Sequence, residues 1–446
     1  MTKINLTNVR KKVLIITYYW PPSGGIGVLR CLKIAKYLRN FGWEPVIYTA
    51  KDAHYPTIDS SNEKDVPENC TILKQKIWEP YHIYKFITGK KKNANVNDVL
   101  MSMDKKAGIA HNFSVWVRSN FFIPDARALW IKPSVTFLSA YLKENPVDAM
   151  FTCGPPHTNT RIATLLKQKF GIPYLSDFQD PWTQVDYFKQ LKLTNWGLKK
   201  HKRLEQEAFE AANAITIVSE YWKKDLESIG GQNVSVLYWG YDPDDFKPIT
   251  PSIDKKFTLS HLGIMGHDRN PTILFKVIKE LIDEVSGFES DFELKLVGQI
   301  DFSVKEQYQK LGIEKNVNFI GSVDRTTALQ LTCNSNALLL LLNQQENAQG
   351  RVPGKFFEYL ASNRPIMVLG PTDGDVALIV DKTKRGTSFN YDNHSGIKEM
   401  LLNLYDMFKK GTLVQPLTGN IEAYSHPVLT GKVATLLDKI TASKKH

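Results

Sequence analysis

Cysteine is scarce in this 446-residue chain: the four residues Cys31, Cys70, Cys153 and Cys333 stand far apart and form no Cys-x-x-Cys pair. Such spacing excludes a disulfide framework and a cysteine-rich zinc site, and suits a reducing compartment. Long apolar runs are also missing. The longest, such as 337–342, fall far short of the ~18–20 residues a spanning helix needs. The first apolar stretch, 13–16, runs into Tyr18-Tyr19-Trp20-Pro21-Pro22 without a small-residue cleavage site. Neither a membrane-spanning nor a signal-directed secreted protein is therefore expected. No short-period repeat or low-complexity tract is present. A content of 42% hydrophobic, 11% aromatic and 23% charged residues excludes collagen-like and disordered classes, and the length predicts two sizeable domains.

Acidic residues are in deficit in one half only. Residues 1–240 carry 33 Lys/Arg against 21 Asp/Glu, a net +12, whereas 241–446 carry 24 against 25, a net −1. That asymmetry suggests an anionic partner for the first half, nucleic acid or a lipid surface. No helix-turn-helix, zinc-finger or RNA-recognition signature accompanies it, so nucleic acid is not the expected partner.

Short apolar runs at 13–17, 43–49, 149–152, 174–176, 214–218 and 234–237 read as strands, with a helix over 28–41. The second half repeats the scheme, with strands at 258–262, 294–297, 317–320, 338–342 and 366–369 and helices at 271–285, 304–311, 327–332 and 354–361. Strands alternating with helices imply parallel sheets covered on both faces. The predicted fold class is α/β, two doubly wound Rossmann-like domains facing a cleft. The expected divisions are a first domain over 1–240, a linker over 241–256 and a second domain over 257–415. The segment 416–446 is expected to pack back on the first domain.

The stretch 77–128 is too long for an ordinary connection. It mixes Trp78, Tyr81, Trp116 and Phe121 with Lys90, Lys91, Lys92 and Arg118. Aromatic rings beside lysines suit an anionic membrane interface; an irregular helical insertion with core aromatics and solvated lysines fits equally well.

Three loops carry residues suited to an anionic ligand. Pro21-Pro22-Ser23-Gly24-Gly25-Ile26-Gly27 joins the first strand to the first helix, where glycines let the backbone approach a phosphate or sugar. The spacing Gly25-x-Gly27-x-x-Arg30 lacks a third glycine, and Asp52 comes 25 residues after Gly27, so a nicotinamide site is not expected. A plain tight turn is the alternative. In Gly350-Arg351-Val352-Pro353-Gly354-Lys355, the proline opens a helix whose free N–H groups and positive end favour an anion. Lys355 adds a cation, and Glu358 shares its face three residues on. The set suits a diphosphate followed by a ribose diol, or else forms an i,i+3 surface ion pair. The third loop, 262–271, precedes another proline-started helix and offers Arg269 for bidentate contact with phosphate. His267 in that loop reads as an ordinary loop histidine.

Taken in order, Trp20-Pro-Pro-Ser-Gly-Gly-Ile-Gly27, Asp177-Phe-Gln-Asp-Pro-Trp-Thr183, Gly240-Tyr-Asp-Pro-Asp-Asp-Phe246 and Arg351-Val-Pro-Gly-Lys-Phe-Phe-Glu-Tyr359 resemble bacterial GT-B glycosyltransferases. The resemblance is above all to the retaining, nucleotide-sugar-dependent family four, and runs from position 12 to about 410. It implies an acceptor-binding first domain and a second domain that binds a UDP- or GDP-linked sugar as co-substrate, with no resident cofactor and no essential metal. Glu358 would hold the donor ribose. Arg269 and Lys355 would meet the diphosphate, aided by Arg351, Gly354 and the Gly24-Gly25 loop. The acceptor side would draw on Asp125, Arg127, His157 and the span from Asp177 to Asp180. The residues expected in catalysis are Arg269, Lys355, Asp180 and His157. For His157 a capping or core role is the alternative, and for Asp180 a turn before proline.

Two departures stand out. Gly350 occupies the first position of the family's Glu-x7-Glu pair, with Glu346 four residues too early, and Gln179 lies near where some members carry a histidine. The expected acceptor is a saccharide or lipid-linked acceptor in cell-surface polysaccharide assembly, met by a cytoplasmic protein held at the inner face of the membrane by anionic lipid. A sugar-nucleotide epimerase and a non-catalytic sugar-nucleotide-binding protein are the alternatives.

Overall fold

A computed structural model describes residues 10–79, 109–185, 188, 191–413 and 418–442. The chain forms two compact units. The first comprises the described residues up to Tyr238 and those from His426 onward; the second is Trp239–Ser425.

The first unit holds a seven-stranded parallel sheet. Its strands are β1 (Lys11–Ile16), β2 (Trp43–Lys51), β3 (Thr71–Lys76), β4 (Ala149–Gly154), β5 (Tyr174–Phe178), β6 (Ala214–Ile217) and β7 (Val234–Val236), in the order β3-β2-β1-β4-β5-β6-β7. In β1, Val13 and Ile15 enter one buried cluster and Leu14 and Ile16 another, so period-two alternation feeds both sheet faces. The helix Ile26–Leu38 and the C-terminal helix His426–Ala442 cover one face. Leu429, Val433, Ala434, Leu437 and Ile440 recur at helical spacing and join Leu32, Ala35 and Leu38 in that cluster.

The second unit holds six parallel strands: β8 (Phe257–Leu262), β9 (Phe292–Val297), β10 (Val317–Gly321), β11 (Ala337–Leu341), β12 (Ile366–Leu369) and β13 (Gly386–Phe389). Their order is β10-β9-β8-β11-β12-β13, with the direction of winding reversed between β8 and β11. Ligands of such sheets sit beyond the carboxyl ends of the strands near that reversal. The expected fold class, doubly wound Rossmann-like α/β domains, is what the two sheets show.

Several boundaries differ from expectation. The edge strands β3 and β13 have no counterpart in the predicted set. β3 reads Thr-Ile-Leu-Lys-Gln-Lys and is half-covered at most, and β13 reads Gly-Thr-Ser-Phe; neither carries the apolar run of a central strand. Residues 241–256, expected as a linker, group with the second unit: Asp245 there pairs with Arg325. Residues 418–425 also group with that unit, and the return to the first begins at His426. Of the expected insertion 77–128, residues 80–108 lie outside the described residues, and the helix Ile109–Phe121 follows them.

Candidate functional site

In the second unit, β8 ends at Leu262 and the chain turns through Gly263 at φ 122°. A Cβ at Gly263 would stand 3.2 Å from Lys355 Nζ, so glycine permits both the turn and the passage of the lysine. Lys355 lies in the first turn of the helix Gly354–Ala361, with Pro353 as its N-cap residue. Its ammonium donates to Leu262 O at 2.9 Å and lies 3.4 Å from His261 Nε2. Burial first, and then the charge of Arg269, pushes the Lys355 amine down to about 7. His261 is wholly buried, with Nδ1 3.0 Å from Leu339 O, and the same enclosure holds it well below the ordinary histidine value, followed by the Lys355 charge. Tyr359 accepts from Leu262 N at 2.8 Å and so ties this helix to the end of β8.

Arg269 ends the short turn His267–Arg269 and meets its neighbour Asp268 through Nε at 3.2 Å and Nη2 at 3.0 Å. Two basic groups thus lie close enough for one to lower the proton affinity of the other at the carboxyl end of β8. An anion brought there relieves that repulsion. Arg351 is half-buried just before Pro353, and Gly350 is buried in the turn Ala348–Gly350.

Glu358 does not pair with Lys355, so the i,i+3 surface pair is not formed. Its Oε1 accepts from Arg325 Nη2 at 2.7 Å, and Arg325 Nη1 donates to Asp245 Oδ2 at 2.9 Å. The two carboxylates hold the Arg325 guanidinium well above the ordinary arginine value, against the opposing effect of burial. Sequence reasoning missed Arg325. It opens the helix Arg325–Asn334 directly after Asp324, whose side chain caps that helix by accepting from Thr327 N. A cation next to a cap residue after β10 was the available signal.

In the first unit the expected residues gather around the carboxyl ends of β1, β4 and β5. Gly24 N donates to Thr57 O at 2.8 Å, and Gly25 takes φ 83° as the chain enters the helix Ile26–Leu38. Asp125 accepts from Arg127 N at 2.9 Å, Thr158 N at 2.8 Å and Thr158 Oγ1 at 2.9 Å, which fastens its loop to the start of the helix Thr158–Phe170. Arg127 stacks 4.5 Å from the centre of the Tyr18 ring and lies 3.6 Å from Glu79, which accepts from the Tyr18 hydroxyl at 2.8 Å.

His157 stacks on Trp182 with ring centres 4.4 Å apart and planes 2° from parallel. Burial, then the nearby His201, pushes its imidazole down to about 3. Its Nδ1 has no hydrogen-bond partner among the described residues. Trp182 Nε1 donates to His201 Nδ1 at 3.1 Å, and burial pushes His201 down to about 4. Gln179 N donates to Gly154 O at 2.7 Å, which sets Asp180, half-buried, in the same loop cluster as His157. Trp182 stood in the sequence only as part of the 177–183 motif, with no role given, and His201 was not singled out.

Asp177, by contrast, is fully buried. Its carboxylate accepts from Arg30 Nε at 2.8 Å and Nη2 at 2.6 Å, from Thr216 Oγ1 at 2.7 Å, and from Cys153 Sγ at 3.3 Å. These contacts join the first helix to three strands and leave the carboxylate without solvent exposure. The acceptor span expected from Asp177 to Asp180 is corrected to begin after it.

No protein-family model and no curated protein sequence matches the chain. Among solved structures it is similar to a glycosyltransferase from Rickettsia africae ESF-5, at 14% identity and TM-score 0.60, over 97% of this chain and 98% of that one. It is similar to TarM of S. aureus, solved with fondaparinux, α-GlcNAc-glycerol and UDP, at 11% identity and TM-score 0.53, over 97% and 98% of the two chains. A UDP-N-acetylglucosamine 2-epimerase matches at 11% identity and TM-score 0.52, over 98% of each chain. At such identities the likeness shows the fold: two Rossmann-like α/β domains of the class in which GT-B glycosyltransferases are built.

Proposed function

We propose that the protein is a glycosyltransferase whose second unit binds a nucleotide-diphosphate sugar and whose first unit binds a hydroxyl-bearing acceptor. The observation that carries this reading is the cationic corner at the end of β8, where Lys355 and Arg269 lie within electrostatic reach at the start of the helix Gly354–Ala361. Glu358, one turn further and held by Arg325, would accept from a ribose diol. The family-four resemblance and the fold shared with UDP-bound TarM support the same assignment.

In the reaction, the bond between the sugar carbon and the diphosphate oxygen breaks and a bond from that carbon to the acceptor oxygen forms. The acceptor proton passes to the departing diphosphate. Negative charge grows on the diphosphate, which Arg269, the helix end and Lys355, protonated when the diphosphate binds, oppose with positive charge. Retention of configuration and independence of metal follow the family-four resemblance. In the first unit, the acceptor hydroxyl would be met in the loop cluster that holds His157 and Asp180, as the family-four resemblance implies. Burial keeps His157 neutral, so it serves as a hydrogen-bonding group rather than a cation.

A lipid-linked acceptor in surface-polysaccharide assembly fits the net +12 of residues 1–240. Trp196 and Phe121 are exposed, and Lys200 Nζ lies 4.8 Å from the centre of the Trp196 ring. No helix among the described residues is long and apolar enough to cross a membrane, so attachment would be to the surface. Equal and poor sedimentation with neutral and anionic vesicles in low salt removes that part of the reading.

The test of the donor site is thermal unfolding with UDP, GDP, ADP and CMP, each in EDTA and in magnesium. A ligand at 100 times its Kd stabilises by about 2.7 kcal/mol. Stabilisation by one diphosphate in EDTA, lost in Glu358→Gln, is the expected result; no response in a folded sample defeats the proposal. The fold shared with a sugar-nucleotide epimerase favours one second reading. Conversion of a nucleotide sugar to its epimer with no acceptor present would replace transfer with epimerisation.

A further inference from the structure

Past the carboxyl ends of β11, β12 and β13 lies a cavity of about 460 Å³, within the size range of small-molecule sites. Its walls are the segments that follow those three strands. Gly370 makes the close approach possible, because a Cβ there would stand 2.8 Å from the Leu342 side chain. The Tyr391 hydroxyl donates to Leu342 O at 2.7 Å, which fixes its ring as one wall.

Five of the lining residues carry side-chain amides: Asn343, Gln344, Gln345, Gln349 and Asn390. Two carboxylates, Asp373 and Asp392, complete the polar set, and none of the lining residues is Lys, Arg or His. Two carboxylates and no cation in the lining disfavour a phosphate there. An amide offers donors and an acceptor on one group, and a carboxylate accepts from hydroxyls. Such a lining matches a ligand with many hydroxyl groups and no net charge.

We propose that this cavity is a saccharide-binding site selective for a neutral sugar, with the amides meeting its hydroxyls and Asp373 and Asp392 rejecting a uronate. Tyr391 also feels the charges of Arg269 and Asp268, which places this wall beside the cationic corner at β8. On the donor reading of the second unit, on which this extension rests, the cavity would take the glycosyl group of a donor whose diphosphate meets Arg269 and Lys355.

Saturation-transfer NMR on the full chain tests the site without any nucleotide. The probes are the methyl glycosides of glucose, galactose, mannose and N-acetylglucosamine, with methyl glucuronide as the charged counterpart. At least one neutral glycoside is expected to bind, with affinity reduced tenfold or more in Gln345→Ala/Asn390→Ala. Both of these residues are exposed, so the fold tolerates the change. Methyl glucuronide is expected to bind only in Asp373→Asn/Asp392→Asn. Absence of transfer from every neutral glycoside, equal binding in the amide variant, or equal binding of the glucuronide by the unaltered chain overturns the proposal. Glycoside binding without response to any of the four nucleotides defeats the donor reading alone and leaves the saccharide site standing. Nucleotide binding without glycoside binding does the reverse.

Discussion

Arg325 Nη2 lies 2.7 Å from Glu358 Oε1, while the other arm of the same guanidinium reaches Asp245 at 2.9 Å. A planar fork thereby fixes the carboxylate of one helix against that of the turn Pro243–Phe246. Arg325→Gln removes the cation from between two carboxylates and is expected to destabilise the second unit by about 3 kcal/mol. Arg325→Lys rescues only part, because an ammonium does not present two parallel arms. Urea denaturation measures the loss, and calorimetry with the stabilising nucleotide measures the accompanying fall in affinity as Glu358 loses its orientation. A variant that unfolds like the unaltered chain would make the bridge a surface contact without structural weight.

Lys355 gives the donor site a pH signature. Its amine titrates at about 7 in the free protein because burial and the Arg269 charge both oppose protonation. A bound diphosphate favours the protonated form, so binding above pH 7 takes up a proton. Affinity is then full below about pH 7 and falls as pH rises, by up to about tenfold per unit until the pKa of the complex is reached. Calorimetry at pH 8 in two buffers of different ionisation enthalpy should register uptake approaching one proton, and Lys355→Met should abolish it. In the ligand-free protein the sign is opposite: stability rises between pH 7 and the ordinary lysine value, since the unfolded chain keeps its proton there while the folded one releases it.

Much of the second unit was legible in the sequence because its central strands are apolar runs. Ala337–Leu341 is buried at every position, and the Gly354–Ala361 helix announces itself by Pro353 and by Phe356, Phe357 and Leu360 on one face. The edge strands β3 and β13 were not legible, because an edge needs no continuous apolar run. The candidate site divides the same way. Lys355 and Glu358 follow from a helix start and an i,i+3 face, but the sequence does not say that each finds a partner elsewhere, Leu262 O for one and Arg325 for the other. Separations of 93 and 33 residues set those contacts, and only the folded sheet brings them together. The amide-lined cavity was invisible for the same reason: its residues come from three segments following three strands.

Two buried imidazoles should make the first unit acid-sensitive. His157 is pushed down to about 3 and His201 to about 4, both chiefly by burial. Between pH 6.5 and about 4 the unfolded chain takes up protons that the folded chain refuses. Stability is therefore fully present above pH 6.5 and declines as pH falls through that window, by about 1.4 kcal/mol per pH unit for each histidine. Denaturant midpoints of the first unit measured from pH 7 to 4 should show that slope. His157→Phe, which keeps a ring against Trp182, should lower it by one proton.

Asp177 and Asp180 stand three residues apart and should separate structure from chemistry. The Asp177 carboxylate lies in the interior against the Arg30 guanidinium, at 2.6 Å and 2.8 Å, whereas Asp180 is half-buried in the loop that follows β5. Asp177→Asn leaves an arginine charge enclosed beside a neutral amide and is expected to destabilise the first unit by about 3 kcal/mol. Asp180→Asn is expected to stay within about 0.5 kcal/mol of the unaltered chain in unfolding, and to act on transfer instead, by raising the acceptor KM or lowering kcat. Donor affinity should be unchanged in Asp180→Asn, because the residue belongs to the first unit and the cationic corner to the second. Denaturation, donor calorimetry and acceptor kinetics on both variants decide the matter. Loss of transfer in a stable Asp177→Asn, with Asp180→Asn fully active, would move the acceptor contact to the interior carboxylate and away from the loop.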